Sequence, residues 1–189
     1  MTPLQHLPAT GYVTLPWKNG LGTTDEICLR PETADRDAFD LRVSRATIAA
    51  EAPFSAFPGV ERIITVIEGA GLRLDFANHS RLLAPGEPCR FDSGLTPVGI
   101  PLGGGIRVLN VMVARSVWQL GEARMQDAAG PIHPDPGGFA VIHALGGWTL
   151  ASAAATLRLK PGDTAIAAGE VLATPGPGAR ALVVPVAPA

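Results

Sequence analysis

Along residues 72–76 hydrophobic and polar side chains alternate without a break: Leu72, Leu74 and Phe76 fall on one face of an extended chain, Arg73 and Asp75 on the other. This predicts a strand with one wet side. Arg62–Ile67 and Ile106–Val113 are apolar at nearly every position and rich in β-branched residues, the pattern of strands covered on both faces. Asn110 shares a face with Val108 and Met112, and a polar amide on an apolar face needs partners. Turn residues separate these runs at short intervals, among them Glu68-Gly69-Ala70-Gly71, Pro85-Gly86, Gly146-Gly147 and Pro161-Gly162. Many short strands so spaced predict an all-β sandwich or barrel, and no segment longer than about one turn reads as an amphipathic helix.

The pattern occurs twice. Leu83-Ala84-Pro85-Gly86-Glu87 and Leu159-Lys160-Pro161-Gly162-Asp163 stand 76 positions apart, and the same offset places Ile63 on Phe139, Val66 on Ile142, Gly71 on Gly147, Leu72 on Trp148 and Leu74 on Leu150. One structural unit used twice is the simplest reading. The polar, proline-rich stretch between Arg115 and Pro136 marks the expected boundary, dividing the chain into residues 1–115 and a shorter, reduced copy over 116–189.

Composition narrows the classes. Eighteen prolines and 22 glycines leave little room for long helices. A net charge of −2, with no run of Lys or Arg, carries no nucleic-acid footprint. Cys28 and Cys89 stand alone, as in a reduced, cytoplasmic protein, and the N-terminus lacks the basic start and apolar stretch of a secretory signal. Pro136–Leu157 has no charged residue and the length of a membrane span, but its glycine pairs and central His143 predict two buried strands instead.

Two segments hold candidate chemistry. Pro16-Trp17-Lys18-Asn19-Gly20-Leu21-Gly22-Thr23-Thr24-Asp25-Glu26 combines an aromatic face, a cation, an amide and hydroxyls, which suits a small polar or anionic ligand as well as it suits a glycine-rich hairpin with a packed Trp. On a strand through Ser44-Arg45-Ala46-Thr47, inward-facing Leu41, Val43 and Thr47 would bring Arg45 inward too, where a guanidinium demands an anion. By the same residue-level reading Arg62 and Arg115 are surface or pairing residues.

A strand, a glycine turn, a second strand and hydrophobe-x-Pro-Gly-acid together resemble the cupin pattern. The ordered set Trp17-Lys18-Asn19-Gly20-x-Gly22-x-Thr24-x-Glu26, Ser44-Arg45-Ala46, Phe54-Ser55-x-Phe57-Pro58-Gly59-x-Glu61-Arg62, Thr65-x-x-Glu68-Gly69 and Asn110-x-Met112 closely resembles the HutD/Ves family. The resemblance implies a bacterial bicupin, two RmlC-like jelly-roll β-barrels with the second reduced. It also implies a regulatory ligand binder linked in part of the family to histidine utilisation, its ligand a small carboxylate such as formylglutamate or urocanate. Carried over by position, the ligand-binding candidates are Trp17, Lys18, Asn19, Thr24, Arg45, Arg62 and Asn110, with Arg45 as the carboxylate anchor and Glu26 a turn cap or a partner of Arg62. The cupin metal ligands do not carry over: Phe54-Ser55-Ala56-Phe57 stands where His-x-His would lie, and Cys89-Arg90-Phe91 and Ala165-Ile166-Ala167 follow the two Pro-Gly turns. Neither metal nor other cofactor is expected. The alternatives are a metal-independent isomerase or lyase, short of a catalytic pair because Tyr12 is the one tyrosine, and an interaction module whose sheet faces pair two protomers as a homodimer.

Overall fold

The structure is a computed structural model that describes residues 4–17 and 22–189. The first eleven strands are β1 (Leu4–Leu7), β2 (Val13–Pro16), β3 (Gly22–Arg30), β4 (Leu41–Ile48), β5 (Ala52–Pro53), β6 (Val60–Glu68), β7 (Leu72–Asp75), β8 (Ser80–Leu83), β9 (Pro88–Asp92), β10 (Val98–Pro101) and β11 (Ile106–Ala114). The remaining nine are β12 (Trp118–Leu120), β13 (Arg124–Gln126), β14 (Gly130–Ile132), β15 (Phe139–Ala144), β16 (Trp148–Ala151), β17 (Thr156–Leu159), β18 (Thr164–Ala167), β19 (Val171–Pro175) and β20 (Ala181–Pro188). Two single 3-10 turns, Ala9–Gly11 and Ser93–Leu95, are the helical structure among the described residues, none of it long enough to cross a membrane. The all-β expectation holds. The uncharged Pro136–Leu157 segment forms β15 and β16, as its glycine pairs predict.

The chain divides into two compact units, Val13–Trp118 and a second made of residues 4–12 with Gln119–Ala189. In the first, a six-stranded sheet runs β2-β3-β4-β11-β6-β9 and a four-stranded sheet runs β5-β10-β7-β8. In the second, the corresponding sheets run β1-β18-β15-β20-β12 and β14-β19-β16-β17. Strands β7 and β8 stand 76 residues before β16 and β17, so the sequence offset is a structural one. Each unit buries its own core: Ile64, Val66, Leu72, Leu74, Leu83 and Val108 in the first, Ala140, Ile142, Trp148, Leu150, Leu159 and Val183 in the second. The alternation over Leu72–Asp75 reads as buried, exposed, buried, half-buried, whereas Ile63 to Val66 are buried without a gap, as a strand covered on both faces requires.

The repeated Pro-Gly-acid motif has a local explanation. Gly86 and Gly162 hold φ of +85° and +88°, the corner of the turn that excludes a Cβ. The turns close with the same bonds, Glu87 N to Ala84 O at 3.1 Å and Asp163 N to Lys160 O at 3.0 Å. Each acid also accepts from the backbone N–H at the head of its turn, Ala84 for Glu87 and Lys160 for Asp163. The acid therefore caps its own turn.

The N-terminal segment departs from the expected division at 115/116. β1 pairs antiparallel with β18, Leu4 opposite Ala167, and so extends the sheet of the C-terminal unit. Asp163 anchors it, accepting 2.9 Å bonds from Ala9 N and His6 Nε2, while the Tyr12 hydroxyl donates to Gly162 O and meets Thr164 Oγ1 at 2.8 Å. Long-range pairing of this kind has no local sequence signature, so sequence alone groups residues 1–12 with their chain neighbours. Burial pushes the Asp163 carboxyl up, but the N–H groups of Ala9 and Lys160 and the His6 ring outweigh it and hold the group below its usual 3.8. Its contribution is therefore complete above that value and lost as pH falls through the lowered one. Asp163→Ala should lower the unfolding free energy by about 2 kcal/mol at pH 7, with the gap to wild type narrowing below pH 3.8, as read from urea titrations at both pH values.

Candidate functional site

A cavity of about 610 Å³ opens on one face of β4, β11 and β6. The register of these strands lays the floor out in rows. Arg42, Met112 and Arg62 are direct neighbours across the three strands; Ser44, Asn110 and Ile64 form the next row, and Ala46, Val108 and Val66 the third. Successive rows lie about 7 Å apart, two residues along a strand. The floor thus passes from cationic through neutral polar to aliphatic, and the third row merges into the core beneath Trp17 and Phe54. The walls are Leu15, Pro16 and Trp17 at the end of β2, Asp35–Asp37 from the β3–β4 connection, and Phe54, Ser55 and Phe57 after β5.

The two floor arginines live differently. Arg42 donates through Nε and Nη2 to the Glu26 carboxylate, with distances of 3.0–3.2 Å, and Arg36 approaches the same carboxylate at 3.6 Å. Arg62 is 3% exposed, and its Nη2 donates only to neutral oxygens, Ser93 Oγ at 2.8 Å and Ser55 O at 3.4 Å. Its Nε is buried without a hydrogen-bond partner, and no carboxylate pairs with it among the described residues. Phe54, Phe57 and Phe91 surround the guanidinium carbon at 5.3–5.6 Å, so ring quadrupoles replace part of the lost hydration. Burial, with a smaller push from Arg42, drives its pKa down to about 9. A buried cation without a counter-ion is a costly state unless something anionic reaches it.

Trp17 closes the aliphatic end, its Nε1 donating to Thr24 Oγ1 at 2.8 Å. Gly22 permits this: a Cβ there would collide with the Thr47 carbonyl oxygen and stand 3.1 Å from the indole. Asn110, on the middle strand of the floor, is 4% exposed and its Oδ1 has no hydrogen-bond partner among the described residues.

Of the residues singled out from sequence, Trp17, Thr24, Arg62 and Asn110 line this one cavity, while Lys18 and Asn19 lie outside the described residues. Arg45 does not line it. It shares a face with Leu41 and Val43, as its spacing predicted, but the cavity is on the opposite face, and Arg45 instead meets Asp25 Oδ2 at 2.7 Å through Nη2 and 2.9 Å through Nε. Burial raises the Asp25 carboxyl, but bonds from Thr14 and Arg45 outweigh it and leave the group below its usual value. Glu26 likewise pairs with Arg42 and Arg36 rather than with Arg62, and Arg62 is neither at the surface nor in a carboxylate pair; Arg115 is paired, with Asp92 at 2.8 Å. Arg42, Ser44, Phe54 and Phe57 were not named as site residues. The signal for the first two was the alternation Leu41-Arg42-Val43-Ser44, apolar at odd positions and polar at even ones, which Arg45 interrupts.

The second unit has no equivalent set. The offset places Gly138 at the position of Arg62 and Gly130 at that of Phe54, and Pro185 stands opposite Ala140 as Asn110 stands opposite Ile64. The donors present do not suit a metal either: guanidinium and phenyl groups dominate this cavity, Glu26 is engaged by two arginines, and no three His, Cys, Asp or Glu side chains cluster among the described residues.

A family model described as HutD matches residues 9–183. An uncharacterized 21.2 kDa protein in the hutC 3′ region of Pseudomonas putida is 39% identical over 140 residues, covering 70% of this chain and 73% of its own length. HutD from Pseudomonas fluorescens SBW25 superimposes with a TM-score of 0.84 at 24% identity over 98% of this chain and 99% of its own. A cupin 2 conserved barrel domain protein from Leptotrichia buccalis superimposes over 92% of both chains with a TM-score of 0.58 at 13% identity, a likeness of fold alone. The fold is therefore cupin-like.

Because no carboxylate pairs with buried Arg62 among the described residues, Arg62→Met, which keeps most of the volume and removes the charge, should stabilise the ligand-free protein by about 1–3 kcal/mol. Urea denaturation of the two forms measures it; a destabilised variant would contradict the uncompensated state of the guanidinium.

Proposed function

The chain belongs to the HutD family, and from that premise we propose that it is a regulatory ligand-binding protein that holds a small carboxylate in the cavity over β4, β11 and β6. One observation carries the reading: Arg62, buried, without a carboxylate partner among the described residues, faces a cavity large enough for a metabolite. A ligand carboxylate meeting it would replace a strained ion by a charge-assisted hydrogen-bonded pair, the arrangement in which guanidinium selects carboxylate. The indole of Trp17 and the rings of Phe54 and Phe57 supply flat apolar walls for the rest of the molecule. Binding is favoured over catalysis because the described lining contains no His, Cys, Lys or Tyr, and no hydrogen bond joins the exposed rim acids Asp35 and Asp37 to its hydroxyls Thr24, Ser44 and Ser55 among those residues.

The hutC neighbourhood in the name of the Pseudomonas putida relative supports a link to histidine utilisation, with formylglutamate or urocanate as ligands of the right class. The matching strand orders of the two units support reading the chain as a bicupin in which one unit keeps a binding cavity and the other serves as its structural counterpart.

Calorimetric titration with urocanate, formylglutamate and glutamate tests the proposal. At least one should bind wild type, and Arg62→Met should weaken it by about 10- to 100-fold, the value of one charge-assisted contact. Arg45→Ala should leave the affinity unchanged, since Arg45 lies on the other face of β4. Absence of binding to wild type, or equal affinity for the Arg62 variant, would refute it.

A further inference from the structure

The floor of the cavity carries a second recognition element. Asn110 sits in the middle strand, one register step, about 7 Å, from the arginine row, between Ser44 on β4 and Ile64 on β6. Ile64 offers only hydrocarbon. Of the donors around the Asn110 amide, the Trp17 N–H is taken by Thr24, Arg42 by Glu26 and Arg62 Nη2 by Ser93 and Ser55, while Arg62 Nε and the Ser44 hydroxyl make no hydrogen bond to its oxygen. The Asn110 Oδ1 is left buried without a partner among the described residues, in a side chain that lines the cavity. Amide oxygens in such positions are uncommon, because each forfeits its hydration without recompense.

We infer that Asn110 accepts a hydrogen bond from the ligand itself, so that the ligand class is a carboxylate bearing an N–H or O–H donor a few bonds from the acid rather than a plain fatty acid, keto acid or simple dicarboxylate. The inference rests on the carboxylate reading above and adds orientation: acid group over the Arg42–Met112–Arg62 row, donor over the Ser44–Asn110 row, remaining carbon against Ala46, Trp17 and Phe54. A site that contributes a buried acceptor rejects an analogue without the donor more strongly than hydrophobic contact alone could, since the acceptor then stays unpaired in the complex.

Three matched pairs test the donor, because each exchanges one N–H for CH2 at constant chain length, with Asn110→Leu controlling for the stiffer amide: N-acetylglycine with 4-oxopentanoate, N-acetyl-β-alanine with 5-oxohexanoate, and N-acetyl-4-aminobutanoate with 6-oxoheptanoate. Calorimetry on wild type should show the N-acetyl member binding about tenfold or more tightly in at least one pair. Asn110→Leu, close in volume, should erase that preference while leaving keto-acid affinity and its dependence on Arg62 in place; a thermal melt confirms that the variant folds. The wild-type comparison stands even if that variant does not fold. Equal affinities within every pair, with Arg62-dependent binding retained, would overturn the role of Asn110 and spare the carboxylate reading. No binding by any of the six acids would overturn the role of Asn110, and with no binding by urocanate, formylglutamate or glutamate it would overturn both.

Discussion

The register of β4, β11 and β6 is the constraint on which the site depends. All three strands are buried on both faces, so side chains one residue apart along them enter different environments, and a slip by one position would exchange those environments throughout. Arg62 and Asn110 stand on the cavity face, while their chain neighbours Ile63, Leu109 and Val111 are buried on the other. The aliphatic majority on both faces holds the register and thereby keeps a guanidinium and a carboxamide in places neither would occupy by its own preference. That division explains why Arg42 and Arg45, three residues apart on β4, meet different acids, Glu26 and Asp25, from β3.

The two units share the greater part of one topology. The orders β4-β11-β6-β9 and β5-β10-β7-β8 correspond to β12-β20-β15-β18 and β14-β19-β16-β17, and the two Pro-Gly turns make the same backbone and acid-to-backbone bonds, so the repeated motif is retained by turn chemistry in both. The units differ in their edge strands, β2 and β3 in the first and β1 in the second, and in the side chains they carry inward. Where the first unit places Arg62 and Asn110, the second places Gly138 and Pro185, and its core closes around small and aliphatic residues. The backbone is a frame, and the first unit is the one that carries Arg62 and Asn110 inward.

Electrostatics inside the first unit is arranged by proximity of unlike groups rather than by net charge, which is near zero over the whole chain. Glu26 neutralises Arg42 and attracts Arg36 from the β3–β4 connection, leaving Arg62 as the floor cation with aromatic rings and neutral oxygens for company. Stability and the proposed recognition pull in opposite directions at that residue: the isolation that makes the guanidinium unfavourable in the ligand-free protein is what the proposed carboxylate would relieve.

Resemblance to the HutD/Ves family put Trp17, Thr24, Arg62 and Asn110 in a candidate set, and by itself the sequence determined the all-β architecture, the repeat at an offset of 76 and the turn positions. Those features rest on local rules, period-two alternation, glycine and proline backbone preferences and ordered motifs, which need no knowledge of what the chain folds against. The tertiary structure decided which face of β4 borders the cavity, that Glu26 belongs to Arg42, that Arg45 is spent on Asp25 and that residues 4–7 join the C-terminal sheet. A strand apolar on both sides carries no label for its cavity face, and a partner strand more than 150 residues away leaves no trace in local composition; only long-range pairing resolves either.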